Sequence, residues 1–176
     1  VARLRGMLTE DPFVGVKNYQ DEDAEREYLT IEELRTLIQY PCEYEGVRRA
    51  FIFSCLTGVR ISDVRKLRWG DVQQQGAFTR ITFRQKKTKG IEYLDINAQA
   101  VQMMGARKAD AECVFTGIPK NQTSVNEIIK RWVLSAGIRK NITYHCSRHT
   151  FAVMMLDIGA DLYTVSKLLG HRDIHT

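Results

Sequence analysis

The 176-residue sequence lacks long apolar runs and paired cysteines. Its longest uncharged stretch near the middle, residues 50–59, is far shorter than the roughly twenty apolar residues that cross a bilayer. No charged-then-apolar signal segment opens the chain. The cysteines Cys42, Cys55, Cys113 and Cys146 form no C-x-x-C pair, and a domain of this size does not need a disulfide framework. These absences favour a protein of the reducing cytoplasm with no membrane partner.

The sequence also lacks an H-E-x-x-H metal motif. His145 and His149, like His171 and His175, are four residues apart, which would place each pair on one face of a helix and allow zinc binding. Arg148, however, would bring a positive charge beside such a metal. We therefore expect no metal and no cofactor, with His149 as a supporting or capping residue and His175 on the surface.

Charge is unevenly distributed along the chain. Residues 1–45 hold 5 Lys and Arg against 11 Asp and Glu, whereas residues 46–176 hold 21 against 10. A basic surplus of this size attracts a polyanion by releasing its counterions, and nucleic acid is the commonest candidate. On charge alone, a solvated basic surface with no partner explains the surplus equally well.

The hydrophobic pattern predicts a mainly helical α+β domain that follows an irregular linker. The linker covers about the first 25 residues, where breakers and acidic residues show no sustained period. Thr30 and Glu33 form a capping box that predicts the first helix. Further helices are predicted at residues 47–56 ending at Gly58, at 62–67, after Asn97, after a capping box of Ser124 and Glu127 and ending at Gly137, at 148–158 ending at Gly159, and at 162–169 between Asp161 and Gly170.

Two segments between these helices alternate with period two. Residues 79–84 do so throughout, and residues 91–96 do so in part. The segment between them, residues 85–90, contains three lysines and a glycine. The pattern therefore predicts a small antiparallel sheet or hairpin with a basic turn.

In three segments, polar or charged residues stand at the start or the end of an apolar helix or strand. The segments are T-G-V-R-I-S-D at residues 57–63, H-C-S-R-H-T at 145–150 and L-L-G-H at 168–171. Together they resemble the tyrosine recombinase, or phage integrase, family. Its boxes are T-G-x-R-x-x-E/D, H-x-x-R-H/K, and L-G-H followed by a tyrosine about nine residues after the histidine. Each box is weak alone, but three in order, with a basic hairpin between the first two, make chance agreement improbable.

The resemblance implies the catalytic-domain fold of a tyrosine recombinase over residues 28–176. Residues 1–27 would then be a linker and the end of a core-binding domain. The implied activity is site-specific DNA cleavage and rejoining through a 3′-phosphotyrosyl intermediate. Integration or excision of a mobile element is the favoured task, and chromosome-dimer resolution or inversion of a promoter would give the same pattern in this stretch. The implied partners are double-stranded DNA and a homotetramer on two duplexes, with accessory DNA-bending proteins left open.

The resemblance assigns the phosphate site to Arg60, Lys87, His145, Arg148 and His171. These residue types suit the chemistry, because a phosphodiester under attack gathers negative charge that guanidiniums hold in bidentate fashion. Histidine can move a proton near neutral pH, and a lysine can protonate the departing oxygen.

Two further positions bear on this assignment: the choice of lysine and the role of Asp63. Lys87 is chosen because the family often has K-T at this place, and Lys86 is the alternative. Asp63 is expected to orient an arginine or a helix end rather than to act as a catalytic acid.

The sequence departs from the family at its end, because Thr176 precedes the expected position of the tyrosine. Tyr144 and Tyr163 do not fit the motif. We therefore expect the chain to stop before its nucleophile and to be inactive as it stands. Two other functions remain open: a DNA-binding module without catalysis, and a nicking enzyme resembling type IB topoisomerases.

Overall fold

The computed structural model describes residues 27–84 and 91–169. Its described part confirms a mainly helical α+β fold with a small antiparallel sheet. The elements in chain order are α1 (Ile31–Gln39), α2 (Glu45–Thr57), α3 (Ile61–Val64), β1 (Val72–Gln75), β2 (Phe78–Arg84), β3 (Ile91–Ile96), α4 (Ala98–Met104), α5 (Gln122–Ser135), α6 (Cys146–Asp157) and α7 (Leu162–Leu168).

Helix α2 forms the centre of the hydrophobic core. It is buried on most of its circumference and packs against α4, α5 and α6. Phe51 of this helix meets the ring of Trp132 edge to face at 6.1 Å and that of Tyr144 at 5.8 Å between centroids. Such ring pairs contribute about 0.5–1.5 kcal/mol each beyond the area they bury. They therefore fix α5, and the segment that leads into α6, against α2.

Most of the helix ends occur where local chemistry predicts them. Thr30 and Glu33 form the capping box of α1, and the Asp161 side chain accepts the backbone N–H of Thr164 at 2.9 Å to open α7. Gly58 and Gly159 follow α2 and α6 with φ of 70° and 91°. Only glycine adopts this left-handed backbone without steric cost.

Three helix starts differ from the prediction. Helix α5 begins at Gln122, because Asn121 caps it by accepting the backbone N–H of Thr123 at 2.9 Å. The capping box assigned to Ser124 and Glu127 is therefore wrong, since both residues lie inside the helix and are exposed. Helix α6 begins two residues earlier than expected, at Cys146, and the short helix after Gly58 covers only Ile61–Val64.

The sheet has three antiparallel strands in the order β1-β2-β3. Strand β1 was not predicted, because it is an edge strand whose side chains are exposed except for Val72. It returns into β2 through a two-residue turn at Gly76, whose φ is 59°. The two predicted strands are confirmed and pair Arg80 with Asp95, which also form an ion pair at 2.6 Å. The basic turn that joins them lies outside the described residues.

The described residues also bear on the expectations from composition. No helix among them is long and apolar enough to cross a membrane. The four cysteines are free thiols. Burial raises the pKa of the Cys55 thiol well above its ordinary value, which keeps that thiol protonated in the core.

Candidate active site

A cavity of about 310 Å³ opens where the starts of α3, α5 and α6 meet. Residues 59–62 line one side, called the α3 wall, and residues 143–145, 147 and 148 line the other, called the α6 wall. Arg60, His145 and Arg148 all face this cavity, although Arg60 is far from the other two in the sequence. The structure therefore brings together three of the five predicted site residues.

Arg148 is buried at the base of the α6 wall, with 7% of its surface exposed. Its guanidinium donates through Nη1 to the carbonyl oxygen of Gly58 and through Nη2 to that of Leu169 at 2.7 Å. Gly58 belongs to the first sequence box, and Leu169 belongs to the third. Arg148 of the second box therefore joins all three boxes through hydrogen bonds.

Arg60 is exposed at the start of the α3 wall, where it is the N-cap residue of α3. The backbone reaches this position through Gly58, which packs tightly against α6. A Cβ atom at Gly58 would lie 2.6 Å from Cδ1 of Phe151 and 3.0 Å from Cδ2 of Leu169. The glycine is therefore required both by its positive φ and by the close approach of α6 and α7.

The cavity is electrostatically suited to an anion. Burial, and then the nearby positive charge of Arg60, lower the pKa of Arg148 to about 10, while the charge of Asp63 raises it. Guanidinium keeps its proton in proteins, so two like charges share the cavity. The N-termini of α5 and α6 also open here, and backbone N–H groups at such ends favour negative charge. An entering phosphate would therefore relieve the repulsion between the arginines.

His145 lies exposed at the N-cap position of α6. Its ring meets the ring of His149, one turn along the helix, edge to face at 5.1 Å between centroids. His149 thus contacts another residue of the wall, and its supporting or capping role stays a prediction. Among the described residues, no group of three His, Cys, Asp or Glu side chains is arranged to hold a metal ion.

Tyr144 anchors the α6 wall in the core. Its hydroxyl donates to the carbonyl oxygen of Ala50 at 2.8 Å and pairs with the Ser54 hydroxyl at 2.8 Å. Burial raises the pKa of this phenol above its ordinary value. A buried, hydrogen-bonded phenol with a raised pKa is a poor nucleophile, whereas Tyr163 on α7 is 61% exposed.

Sequence patterns did not identify Gln122 and Asn126, which line the cavity from α5. Asn126 Oδ1 accepts the backbone N–H of Tyr144 at 3.0 Å and the Nε2 amide of Gln122 at 3.3 Å. Polar residues four apart occur on every solvated helix face, so the sequence carries no signal that separates this pair. Only the packing of α5 against the α6 wall distinguishes them.

The remaining predicted residues fall into two groups. Lys87, its alternative Lys86, and His171 lie outside the described residues, as does His175. Asp63 lies on α3, half-buried, and its negative charge acts on Arg148. This electrostatic effect is what an acidic residue beside an arginine would exert. That Asp63 orients an arginine or a helix end stays a prediction.

Solved structures share this architecture. The crystal structure of XerA recombinase matches 84% of this chain and 57% of its own, at 25% identity and a TM-score of 0.67. The Tn1549 transposon integrase in complex with transposon right end DNA matches 97% and 67%, at 19% identity and a TM-score of 0.70. These likenesses confirm the catalytic-domain fold of a tyrosine recombinase.

Sequence comparison gives the same assignment. Tyrosine recombinase XerD of Staphylococcus haemolyticus (strain JCSC1435) is 30% identical over 180 residues, and that of Staphylococcus epidermidis (strain RP62A) is 29% identical. Each match covers 94% of this chain but only 61% of the relative's length. The family model described as "Phage integrase family" matches residues 27–176 of this chain. The chain therefore belongs to the phage integrase family of tyrosine recombinases.

Proposed function

We propose that the protein cleaves and rejoins DNA at specific sites through a 3′-phosphotyrosyl intermediate. The observation that carries the proposal is the convergence of Arg60, His145 and Arg148 on one cavity. A single phosphate group must touch all three side chains, and this cavity lies within reach of each. The energy of the broken phosphodiester is kept in the covalent link, so the reaction needs no ATP.

Each residue has a distinct part in this proposal. Arg148 uses two N–H groups for the carbonyls of Gly58 and Leu169, and its remaining donors hold one non-bridging oxygen. Arg60 holds the phosphate from the α3 wall, and His145 donates to it from the α6 wall. Lys87, or Lys86, would protonate the departing 5′ oxygen, and His171 would complete the site.

The nucleophile and the assembly follow from the family pattern. The third box places the tyrosine about nine residues after His171, in a part of the protein that this sequence does not cover. Strand exchange needs four active sites, so we propose a homotetramer on two duplexes, with integration or excision of a mobile element as its task. A core-binding domain preceding residue 28 would grip the opposite face of the DNA. The free cysteines support a reducing, cytoplasmic compartment.

A suicide DNA substrate tests the cleavage step. The full-length protein should form a covalent adduct that survives a denaturing gel, and replacing the expected tyrosine by phenylalanine should abolish it while DNA binding persists. The 176-residue chain should form no adduct. An adduct on this chain that disappears in Tyr163→Phe would show that the third box has been aligned wrongly.

A strand-exchange assay with two DNA sites tests the recombination step. A recombinase joins the two duplexes into recombinant products, whereas a nicking enzyme resembling type IB topoisomerases relaxes supercoils without joining them. A full-length protein that binds DNA but does neither would be a DNA-binding module. Either of the latter results would contradict the proposal.

A further inference from the structure

Helix α5 forms a third side of the cavity, and the two residues with which it lines the cavity are neutral amides. Gln122, the first residue of α5, is exposed, and Asn126 lies one turn further along and is half-buried. Arg60 and Arg148 bring two positive charges to the same cavity. An amide has a donor at one end and an acceptor at the other, so its orientation decides whether α5 attracts or repels an anion here.

The backbone of Tyr144 sets the orientation of the Asn126 amide. A backbone N–H can only donate a hydrogen bond, and that of Tyr144 donates to Asn126 at 3.0 Å. The atom of Asn126 at this contact is therefore the oxygen Oδ1 and not the nitrogen. An amide oxygen has two lone pairs, so Oδ1 can accept a second hydrogen bond.

The orientation of the Gln122 amide follows from that of Asn126. The side chain of Gln122 approaches the same Oδ1 atom at 3.3 Å, and only its Nε2 group can donate to an oxygen. The two N–H bonds of this group diverge, so the second N–H is directed away from Asn126. Gln122 therefore brings an N–H donor to the cavity, whereas the reverse orientation would have brought a carbonyl oxygen.

We propose that Gln122 is a further phosphate-binding residue of the site and donates its second Nε2 N–H to a non-bridging oxygen of the DNA phosphate. The charge of a phosphate under attack is spread over oxygens that point in different directions, so a donor on a third side of the cavity complements the two arginines. A neutral donor does this without adding to the repulsion between the guanidiniums. The proposal rests on the proposed function for its catalytic consequence, whereas phosphate binding can be tested on the 176-residue chain.

Nuclear magnetic resonance of the 176-residue chain, titrated with inorganic phosphate, tests the binding part. The Nε–H resonance of Arg148 reports whether phosphate enters the cavity. The two Nε2 protons of Gln122 should respond unequally: the proton that binds phosphate should move downfield, and the proton bonded to Asn126 should move less. The side-chain amides of Gln39 and Gln102, which are exposed on α1 and α4, are internal controls and should not shift.

The outcomes of this titration separate the proposal from the function on which it rests. A shift of Arg148 without a shift of Gln122, or equal shifts of Gln122 and the two control amides, would overturn the proposal alone. If neither Arg148 nor Gln122 responds, the cavity is not a phosphate site, and the proposed function loses the observation that carries it.

Cleavage kinetics of the full-length protein test the catalytic part. Gln122→Met keeps the length of the side chain but removes the donor. It should lower kcat about ten- to a hundredfold, the usual strength of a hydrogen bond to a charged group, with KM nearly unchanged because the bond strengthens as charge develops. Gln122→Glu has the same shape but only acceptors, and it should also raise KM because its charge repels the phosphate. Gln122→Lys restores a donor and should recover part of the rate.

Ser124→Ala is the matched control. Ser124 is exposed on the first turn of the same helix but is not among the residues that line the cavity, so kcat and KM should stay at their wild-type values. Urea denaturation of the 176-residue chain should give Gln122→Met nearly the wild-type midpoint, because Gln122 is exposed. An unaltered kcat in Gln122→Met, or an equal loss in Ser124→Ala, would overturn the catalytic part. A wild-type protein that does not cleave DNA would refute the proposed function, while the titration would still decide whether Gln122 binds phosphate.

Discussion

The two walls of the cavity are built in different ways. The α6 wall is pinned from within, because Tyr144 and Arg148 are buried and hydrogen-bonded to three other parts of the chain. The α3 wall presents the Arg60 side chain at the surface, and the residue is held through its backbone, by the turn at Gly58 and by the hydrogen bonds that its carbonyl oxygen accepts from Asp63 and Val64. The α6 wall therefore presents a charged side chain that is also built into the core, whereas the α3 wall presents an exposed charge. Substitutions in the two walls should differ accordingly.

The largest expected effect is that of Arg148→Ala. It leaves the carbonyls of Gly58 and Leu169 without their donor, and each unsatisfied buried group costs about 1–3 kcal/mol. We expect the free energy of unfolding to fall by about 2–4 kcal/mol, measured by urea denaturation of the 176-residue chain, together with loss of cleavage in the full-length protein. Unchanged stability would mean that the α6 wall does not depend on this side chain.

Arg60→Ala provides the contrasting case on the α3 wall. Because Arg60 is exposed, its removal should change the free energy of unfolding by no more than about 0.5 kcal/mol. Cleavage by the full-length protein should nevertheless fall about a hundred- to a thousandfold, the usual cost of a lost donor to developing charge. Arg60→Lys keeps the charge and serves as the control, and should recover only part of the rate because lysine cannot bind in bidentate fashion.

Tyr144→Phe tests the anchor without touching the cavity's charge. The substitution removes the hydrogen bonds to Ala50 and Ser54 while keeping the ring against Phe51. We expect a loss of about 1–2 kcal/mol in the free energy of unfolding. Adduct formation by the full-length protein should persist, and its disappearance at unchanged stability would make Tyr144 part of the chemistry.

The smallest effect concerns the loop that leads into the α6 wall. Lys140 in this loop donates to Glu33 of α1 at 2.7 Å. Burial raises the pKa of the Glu33 carboxyl, but hydrogen bonds from Lys140 and Thr30 outweigh burial and hold that pKa below its usual value. The stabilisation is therefore present above the unfolded-state pKa and is lost as the pH falls through the folded-state pKa.

Glu33→Gln isolates that contribution. The wild-type chain should lose a little more stability than the variant between pH 7 and pH 3, by less than about 1 kcal/mol because the pair is partly exposed. Glu127→Gln, on the exposed face of α5, is the matched control and should follow the wild type. If all three chains lose the same stability between pH 7 and pH 3, the Glu33–Lys140 ion pair does not stabilise the loop that leads into the α6 wall.

Sequence patterns located the elements whose ends depend on local chemistry. The capping box at Thr30, the cap at Asp161 and the glycines after α2 and α6 each involve neighbours within a few residues, so the chain itself carries the signal. The first two boxes likewise point to Arg60, His145 and Arg148, which the structure places around one cavity.

The features that escaped prediction depend on contacts between distant segments. Strand β1 is polar and becomes a strand only by pairing with β2, and Asn126 enters the site only because α5 packs against the α6 wall. The Asn121 cap was missed because an asparagine one turn earlier competes with the capping box at Ser124, and both patterns are sound locally. Nor did the second box reveal that Arg148 bonds to two carbonyls of the other boxes.

The bond between Arg148 and the carbonyl of Gly58 has a consequence for the timing of folding, because it spans 90 residues. At a synthesis rate of about 5–20 residues per second, a ribosome completes the α3 wall roughly 5–20 s before it reaches Arg148. During that interval Arg60 has no cavity to face. A nascent chain therefore acquires this cavity only once α6 has emerged from the ribosome.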